Sequence, residues 1–327
     1  MGDRKSLLPV VRIVTPGTRA ANNGNWRTAQ RWAKLIETVS RPIVQSHWGG
    51  EPAEILIALH AHRSAESVLA ARRAHPHLPI VVALSGTDLY RDLPGSPAAH
   101  QALDAADRII ALQFDARRQL PEAWAAKCVV IYQSAPILEP VRKSATHFDV
   151  AVVGHLRSEK DPGTLWRAIE RLDPSLPIRI THIGEALDAQ LGKEAKAMMA
   201  RDARYRWVGG RAHGLTRLAI RRAHLLAHPS VMEGGANVIV EAITSGTPVL
   251  ASFMSGNLGM LGHEYPGYFP VGDAKALATA LERLAREPDA MRELRRACKR
   301  IAHLFTPARE RTALRRLVIE LTRRAAA

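Results

Sequence analysis

Short apolar runs alternate with longer polar segments of helical periodicity along the 327 residues of the chain. A run rich in Val and Ile that ends in glycine or small polar residues is typical of a buried strand, whereas apolar residues spaced three or four apart indicate an amphipathic helix. Strands are predicted at 10–15, 55–59, 80–84, 108–112, 128–132, 149–153, 178–184, 205–208 and 249–252. Helices are predicted from a glycine loop at 22–25 to about residue 39, and at 115–120, 215–222, 238–243, 274–286, 289–304 and 308–325. This alternation indicates an α/β fold.

The pattern lapses between Gln133 and Thr146, where proline and charged residues accumulate. A chain of this length suits two domains of about 100–200 residues each. We therefore predict a first domain at 1–144, a second at 145–307, and a final helix at 308–327.

Composition adds the class of protein and the compartment. Hydrophobic residues make up 46% and charged residues 24% of the chain, which is ordinary for a globular protein. No apolar run approaches the roughly 20 residues that span a bilayer, and the first residues lack the apolar segment of a signal peptide. Cys128 and Cys298 are the two cysteines, far apart, so reduced structural thiols are expected. These features predict a cytoplasmic protein without a membrane segment.

The net charge of +15 needs an explanation. It could attract small anionic substrates, nucleic acid or an acidic membrane surface. Many arginines lie near the C-terminus on helical segments that alternate with Leu and Ile, which favours solvated faces of amphipathic helices. Because aromatic residues are only 5% of the chain, nucleic-acid binding is disfavoured, whereas peripheral membrane contact stays open.

The richest motif runs from Pro229 to Ser252. Its glycines precede a helix whose first turn, Gly235-Ala236-Asn237, offers unpaired amides and a positive dipole end that suit phosphate. Glu233 and Glu241 lie about two helical turns apart, and carboxylates accept hydrogen bonds from hydroxyls. Phosphates and sugar hydroxyls together indicate a nucleotide-sugar. The alternative is that Glu233 caps the helix and Glu241 is a solvated surface residue.

Other polar residues follow predicted strands, where ligands of open α/β sheets bind. In the first half they form a loop and two strand exits: Gly24, Asn25, Thr28, His60, His62, Arg63, Thr87 and Asp88. His60 and His62 could hold a metal, but no third ligand lies nearby in the sequence and Arg63 would repel a cation, so anion binding or acceptor positioning is the competing interpretation. For Thr87 and Asp88 the alternative is turn chemistry. In the second half Gly154, Arg157 and Lys160 follow a strand, and two cations there could hold a diphosphate, with surface solvation as the alternative.

Several chemistries lack their motifs. The sequence has no G-x-x-x-x-G-K-[ST], no G-x-G-x-x-G and no G-x-S-x-G, which argues against P-loop ATPases, dinucleotide oxidoreductases and α/β-hydrolases. No aspartates occur at i and i+2 to bridge a metal to a diphosphate. We therefore expect neither a metal nor another cofactor.

The motif at 229–252 closely resembles the donor-site signature of GT-B glycosyltransferases, in particular the retaining family-4-like group. The resemblance implies two doubly wound, Rossmann-like domains with a cleft between them, the first on the acceptor side and the second binding a UDP-sugar, with the final helix crossing back to the first domain. It implies the following donor residues: Gly24, Gly154, Gly184, Gly235, Ala236, Asn237 and Glu241. It also implies Arg157, Lys160, Glu233 and His62 as catalytic residues, although Arg157 lies one position later than in the family pattern. Acceptor contacts are expected from Asn25, Thr28, His60, Arg63 and Thr87.

Two further stretches are similar to a narrower branch. Asn23-Gly24-Asn25 with Thr28-Ala29 and Arg31-Trp32, and Ser85-Gly-Thr-Asp-Leu-Tyr90, resemble the selenosugar synthases of selenoneine biosynthesis. This resemblance implies transfer from UDP-N-acetylglucosamine to selenophosphate with formation of a carbon–selenium bond. The alternatives are a glycosyltransferase for a lipid or saccharide acceptor, and a non-catalytic protein that binds nucleotide-sugars or nucleic acid.

Overall fold

The computed structural model describes residues 8–17 and 24–325. They form two compact units, the first comprising the residues up to Gln133 together with those from Pro307 onwards, and the second Ser134–Thr306. The strands of the first unit are β1 (Val10–Val14), β2 (Arg41–Gln45), β3 (Ile55–Leu59), β4 (Ile80–Ala83), β5 (Arg108–Ala111) and β6 (Cys128–Val130). Its helices are α1 (Gly24–Ile36), α2 (Ala65–Ala74), α3 (Pro97–Ala105), α4 (Phe114–Arg118) and α5 (Glu122–Ala126), and the chain ends in a long helix described below.

The first sheet is parallel, with strand order β2-β1-β3-β4-β5-β6. Strands β3 and β4 are buried at every residue, because helices cover both faces of the sheet and the sequence supplies continuous apolar runs. The strand order reverses between β1 and β3. The carboxyl ends of these two strands are therefore where a ligand of a doubly wound sheet binds.

The second unit contains strands β7 (Phe148–Val153), β8 (Ile178–Ile183), β9 (Tyr205–Trp207), β10 (Leu225–His228), β11 (Val249–Ser252) and β12 (Tyr268–Phe269). Its helices are α6 (Pro162–Ile169), α7 (Ala189–Arg201), α8 (His213–Arg222), α9 (Asn237–Thr244), α10 (Ser255–Leu261), α11 (Ala274–Arg286) and α12 (Pro288–Ile301). The sheet is again parallel, in the order β12-β11-β10-β7-β8-β9, and the order reverses between β10 and β7.

The last helix, α13 (Pro307–Ala325), belongs to the first unit. Leu314, Val318 and Leu321 pack into one of the apolar clusters on the first sheet. Glu310, on the same helix, is 2% exposed and accepts a hydrogen bond from Trp32 Nε1 at 2.8 Å. The helix is thus fixed to α1 by apolar packing and by a buried polar contact.

The segment 134–147 has no helix or strand but packs on the second unit. Leu138 N donates to the Thr244 carbonyl at 2.8 Å, and Lys143 Nζ donates to the carbonyls of Arg221 and Ala223. Burial lowers the pKa of Lys143 to about 8. The predicted domain boundary at 144/145 lies at the end of this segment, just before β7.

Some elements differ from those that the pattern predicted. The polar stretch of β2 was not predicted as a strand, nor was the buried strand β10, and α6 and α7 were not predicted as helices. Helix α10 was also not predicted; it begins with Ser255, Gly256 and Asn257, and Asn257 is fully buried. Over the described ranges, no helix combines the length and the apolar character that crossing a membrane requires.

Candidate functional site

The turn after β7 places two predicted cations beside the crevice of the second sheet. Gly154 directly follows the strand, Arg157 precedes a short 3-10 turn at 158–160, and Lys160 is the last residue of that turn. The Lys160 stem lies over Gly154, where a Cβ would come within 3.2 Å of Lys160 Cδ. Arg157 is 39% exposed, with Nε 3.9 Å from Glu159 Oε2. A small residue at 154 therefore lets the lysine cross the strand end towards β10.

Glu233 follows β10 and meets Lys160 at this point. The Lys160 ammonium donates to Glu233 Oε1, and His228 Nε2, at the end of β10, lies 3.2 Å from the same oxygen. The side chains of Lys160, Glu233 and His228 are 17%, 11% and 2% exposed. The strand reversal between β7 and β10 thus brings together a cation, a carboxylate and an imidazole that are distant in the sequence.

Burial and the neighbouring charges together determine the protonation states of Glu233 and His228. Burial acts to raise the pKa of Glu233, but the Lys160 ammonium and contact with His228 outweigh it and hold the pKa well below its ordinary value. Burial lowers the pKa of His228, although Glu233 acts in the opposite direction. The carboxylate is therefore ionised and the imidazole neutral at neutral pH.

Two glycines allow neighbouring backbone segments to approach each other closely beside this cluster. A Cβ on Gly256, in α10, would lie 1.9 Å from the Glu233 carbonyl oxygen. A Cβ on Gly184, directly after β8, would lie 1.9 Å from the Gly154 carbonyl oxygen. The same Gly154 carbonyl oxygen lies 3.1 Å from His182 Nε2, and His182 Nδ1 lies 2.9 Å from the Tyr205 hydroxyl. Any larger side chain at either glycine would displace the loops that carry Glu233 and Lys160.

The second predicted carboxylate, Glu241, lies in the middle of α9. His213 Nε2, on the first residue of α8, is 2.7 Å from Glu241 Oε1, and the glutamate side chain is 14% exposed. The helix begins at Asn237, and the amide of Ala236 points inward to Met260 Sδ at 3.1 Å. Of the three amides predicted to face phosphate, the amide of Ala236 therefore already has a partner within the second unit.

In the first unit, the exits of β3 and β4 meet in a buried cluster. His60 is 1% exposed and adopts a positive φ of 76°, with Nδ1 3.1 Å from Asp88 Oδ1 and Nε2 3.5 Å from Asp92 Oδ2. Asp88 is fully buried and accepts from the amides of Ala61 at 2.6 Å and His62 at 3.1 Å. Asp88 therefore supports the turn after β3, which is the turn chemistry that was the alternative to a ligand contact.

The remaining predicted residues of the first unit range from exposed to buried. His62 and Arg63 are exposed, and His62 Nδ1 is 2.7 Å from Ser96 Oγ. Gly24 is exposed at the start of α1, and Asn25 and Thr87 are half-buried. Thr28 is 3% exposed, donates to the Gly24 carbonyl at 2.9 Å and accepts from Gln133 Nε2 at 3.1 Å.

The exposure of each predicted acceptor residue decides whether it could contact an acceptor in this conformation. Direct contact from Thr28 or His60 would require the side chain to become exposed. Asn23, named in the sequence resemblance, lies outside the described residues. The residue roles predicted at the two sheets stay predictions.

Sequence reasoning missed three residues of these clusters. His213 and His228 contact Glu241 and Glu233, and Asp92 lies beside His60. The signal for His228 was present in the sequence, since it is the last residue of an apolar run directly before Pro229. The contacts of His213 and Asp92 depend on helix and loop packing and carry no comparable signal.

Comparison with known proteins defines the class. The family model described as Glycosyl transferases group 1 matches residues 134–304, just over half of the chain. HepE from Anabaena, solved in complex with UDP and glucose, matches with a TM-score of 0.73 and 18% identity over 95% of this chain and 98% of HepE. Sucrose-phosphate synthase from Thermosynechococcus elongatus matches with a TM-score of 0.78 and 17% identity over 98% of this chain and 100% of that one. The pneumococcal O-GlcNAc transferase GtfA, solved with UDP and GlcNAc, matches with a TM-score of 0.67 and 17% identity over 82% of this chain and 56% of GtfA.

The two parallel sheets with their covering helices are those of the GT-B fold, which confirms the predicted fold class. The chain belongs to the glycosyl transferases group 1 family, and it is a glycosyltransferase.

Proposed function

We propose that the protein transfers a sugar from a UDP-sugar, in particular UDP-N-acetylglucosamine, to selenophosphate. The observation that carries the donor half is the Lys160–Glu233 pair at the strand reversal of the second sheet, with Glu241 on the adjoining helix. A diphosphate needs a cation, and the ribose and sugar hydroxyls need acceptors. The structures of HepE with UDP and glucose and of GtfA with UDP and GlcNAc support a UDP-sugar as the donor.

The selenophosphate half rests on the resemblance of two stretches of the first unit to selenosugar synthases. A compact, highly charged acceptor agrees with the exposed Arg63 and His62 at the exit of β3 and with the net charge of +15. Selenophosphate is already an anionic nucleophile, so it needs little help from a general base.

In the proposed reaction the selenium attacks the anomeric carbon of the sugar. The bond from that carbon to the diphosphate oxygen breaks, and its electron pair leaves with UDP. Lys160 and Arg157 stabilise the negative charge that develops on the leaving diphosphate. Glu241 holds the ribose and Glu233 a sugar hydroxyl. The resemblance implies that the anomeric configuration is retained.

UDP release from several UDP-sugars, each with selenophosphate, with thiophosphate and without acceptor, tests this function. We expect release that requires selenophosphate, is fastest with UDP-N-acetylglucosamine, and falls at least a hundredfold in Lys160→Ala and Glu241→Ala. Lys196→Ala, which removes an exposed lysine of α7, is the matched control and should keep wild-type activity. If no UDP-sugar reacts with either acceptor, the selenosugar assignment is wrong.

A lipid or saccharide acceptor is the second candidate, and one observation favours it. Helix α12 exposes Arg295, Arg296, Lys299 and Arg300 on one side while its apolar side packs inside the second unit. Such a face could bind an anionic membrane surface. Sedimentation with vesicles of phosphatidylserine and phosphatidylcholine, at low and high salt, tests this candidate: salt-sensitive binding supports it, and no binding at low salt argues against a membrane acceptor.

A further inference from the structure

The Glu233 carboxylate has two partners in the structure, Lys160 and His228. In the proposed reaction Lys160 would instead contact the donor diphosphate. The Lys160 ammonium pairs with Glu233, yet the same ammonium is the group that would neutralise the donor diphosphate. The His228 side chain is 2% exposed, and its Nε2 lies 3.2 Å from the same carboxylate oxygen. It makes no part of the predicted donor or acceptor contacts.

We propose that His228 is a positioning residue that holds the Glu233 carboxylate when the Lys160 ammonium moves from it to the donor diphosphate. The inference rests on the proposed function, because it requires a diphosphate donor at the second unit. His228 itself touches neither sugar nor phosphate. Its action is to keep Glu233 ionised and oriented towards a sugar hydroxyl.

The charge on Glu233 explains why the protonation of His228 would change when Lys160 moves away. Removing the ammonium would leave a buried carboxylate without a compensating cation, which is strongly unfavourable. The charged groups that face His228 in the described residues are Glu233, on the loop after β10, and Lys160, on the turn after β7. Arg157 and Glu159 lie in that same turn, 3.9 Å from each other.

The direction of the proton transfer follows from these neighbours. Burial lowers the pKa of His228, Glu233 raises it, and Lys160 lowers it further. When the ammonium leaves, the unfavourable lysine contribution disappears and the favourable glutamate contribution remains. Burial still lowers the pKa of the imidazole, but the loss of the ammonium raises it, so protonation of His228 from solvent beside Glu233 becomes more favourable. Donor binding is therefore coupled to proton uptake, and donor affinity should fall as pH rises above neutrality.

Calorimetric titration of the full chain with UDP-N-acetylglucosamine and UDP-glucose, without acceptor, tests this coupling. Measurements at pH 7 in buffers of different ionisation enthalpy give the number of protons bound with the donor. A UDP-sugar is the proper probe because its diphosphate has no group that titrates near neutral pH. We expect net proton uptake in the wild type, and donor binding about tenfold weaker with no uptake in His228→Gln.

His224→Gln is the matched control, since burial also lowers the pKa of His224, which contacts the Asp149 amide at the start of β7. It should bind donor with the same uptake as the wild type. Donor binding without proton uptake in the wild type would overturn the role of His228 and leave the proposed function intact. Uptake that persists in His228→Gln would also overturn it. No binding of any UDP-sugar to the wild type would overturn both.

A second measurement does not depend on the folding of His228→Gln. In Lys160→Met the free protein should already have lost the competing cation. Titration of the His228 ring, followed by NMR, should then show a pKa above that of the wild type. An unchanged or lower pKa in Lys160→Met contradicts the proposed exchange of partners.

Discussion

In each unit a buried histidine lies beside a buried carboxylate at the strand ends, but the two clusters use them differently. In the first unit Asp88 turns inward, accepts from two backbone amides and lies beside His60. In the second unit Glu233 lies beside His228 but pairs with Lys160, a side chain 17% exposed at the strand reversal. The first carboxylate stabilises a turn, whereas the second is held by a cation that a ligand could withdraw.

The difference shows how a strand end becomes a candidate ligand site. Backbone amides are fixed donors, so Asp88 is satisfied whether or not a ligand is bound. A lysine on a flexible stem can exchange one anionic partner for another. A buried histidine beside a buried carboxylate is therefore not enough to identify a ligand-binding or catalytic site.

The largest expected difference between the two units concerns their glycines. Gly256→Ala would place a Cβ 1.9 Å from the Glu233 carbonyl oxygen, so Glu233 must move, whereas a Cβ on Gly24 meets nothing within 4 Å among the described residues. We expect Gly256→Ala to lower kcat/KM for the donor at least a hundredfold and Gly24→Ala to change it less than twofold. Steady-state kinetics of UDP release measures both. Equal losses in the two variants would mean that Gly24 contributes to the donor site as much as the closely packed loop does.

The second prediction concerns the stability of the ion pair. Lys160→Ala leaves Glu233 buried without its cation, and removing one partner of a buried pair costs about 3–5 kcal/mol. We expect chemical denaturation to show a loss of that order, and Lys160→Ala with Glu233→Gln to recover most of it while remaining inactive. Arg283→Ala is the control, because Arg283 of α11 forms an exposed pair with Glu287, directly after the helix, and such pairs contribute about 0–1 kcal/mol. No recovery in the double variant would show that Lys160 stabilises the turn by packing instead of by charge.

The third prediction is a pH dependence confined to the second unit. Burial lowers the pKa of His182 to about 4 from an ordinary value of 6.5. Between these values the unfolded state binds more protons than the folded state, so stability decreases as pH falls from about 6.5 to about 4. At about 1.4 kcal/mol per pKa unit, the loss is about 3 kcal/mol.

Hydrogen exchange at the amides of β8, measured at several pH values, tests this third prediction. His182→Gln is the comparison, since its side chain cannot titrate and should remove most of the pH dependence. The amides of β3, in the first unit, serve as the internal reference. If β8 in the variant keeps the wild-type dependence on pH, another group is responsible.

Sequence patterns predicted the fold better than they predicted the contacts of the site. β3, β4 and β11 were predicted because each is a continuous apolar run in a sheet covered on both faces. β2 was missed because Arg41-Pro-Ile-Val-Gln45 lies at the sheet edge and has no fully buried residue. Helix α10 was missed because Ser255-Gly-Asn257 is typical of a loop, and only packing against Glu233 makes a glycine favourable there.

The contact between Lys160 and Glu233 was not predictable from sequence, and the reason is different. Lys160 and Glu233 are 73 residues apart, and their contact depends on β10 lying directly beside β7. His228, the last residue of β10, lies beside the same carboxylate. A motif identifies such residues, but the order of strands in the sheet decides which of them meet.

The smallest expected effect separates backbone strain from side-chain contact at His60. A non-glycine residue at a φ of 76° is unfavourable, and glycine relieves this by about 1 kcal/mol relative to alanine. His60→Gly and His60→Ala lose the same contacts with Asp88 and Asp92, so their difference in free energy of unfolding isolates the backbone contribution. We expect denaturation to find the glycine variant more stable by about 1 kcal/mol. Equal stabilities would show that the turn relaxes once the ring is removed, in which case the contact of His60 with Asp88, and not the turn itself, imposes the strained backbone.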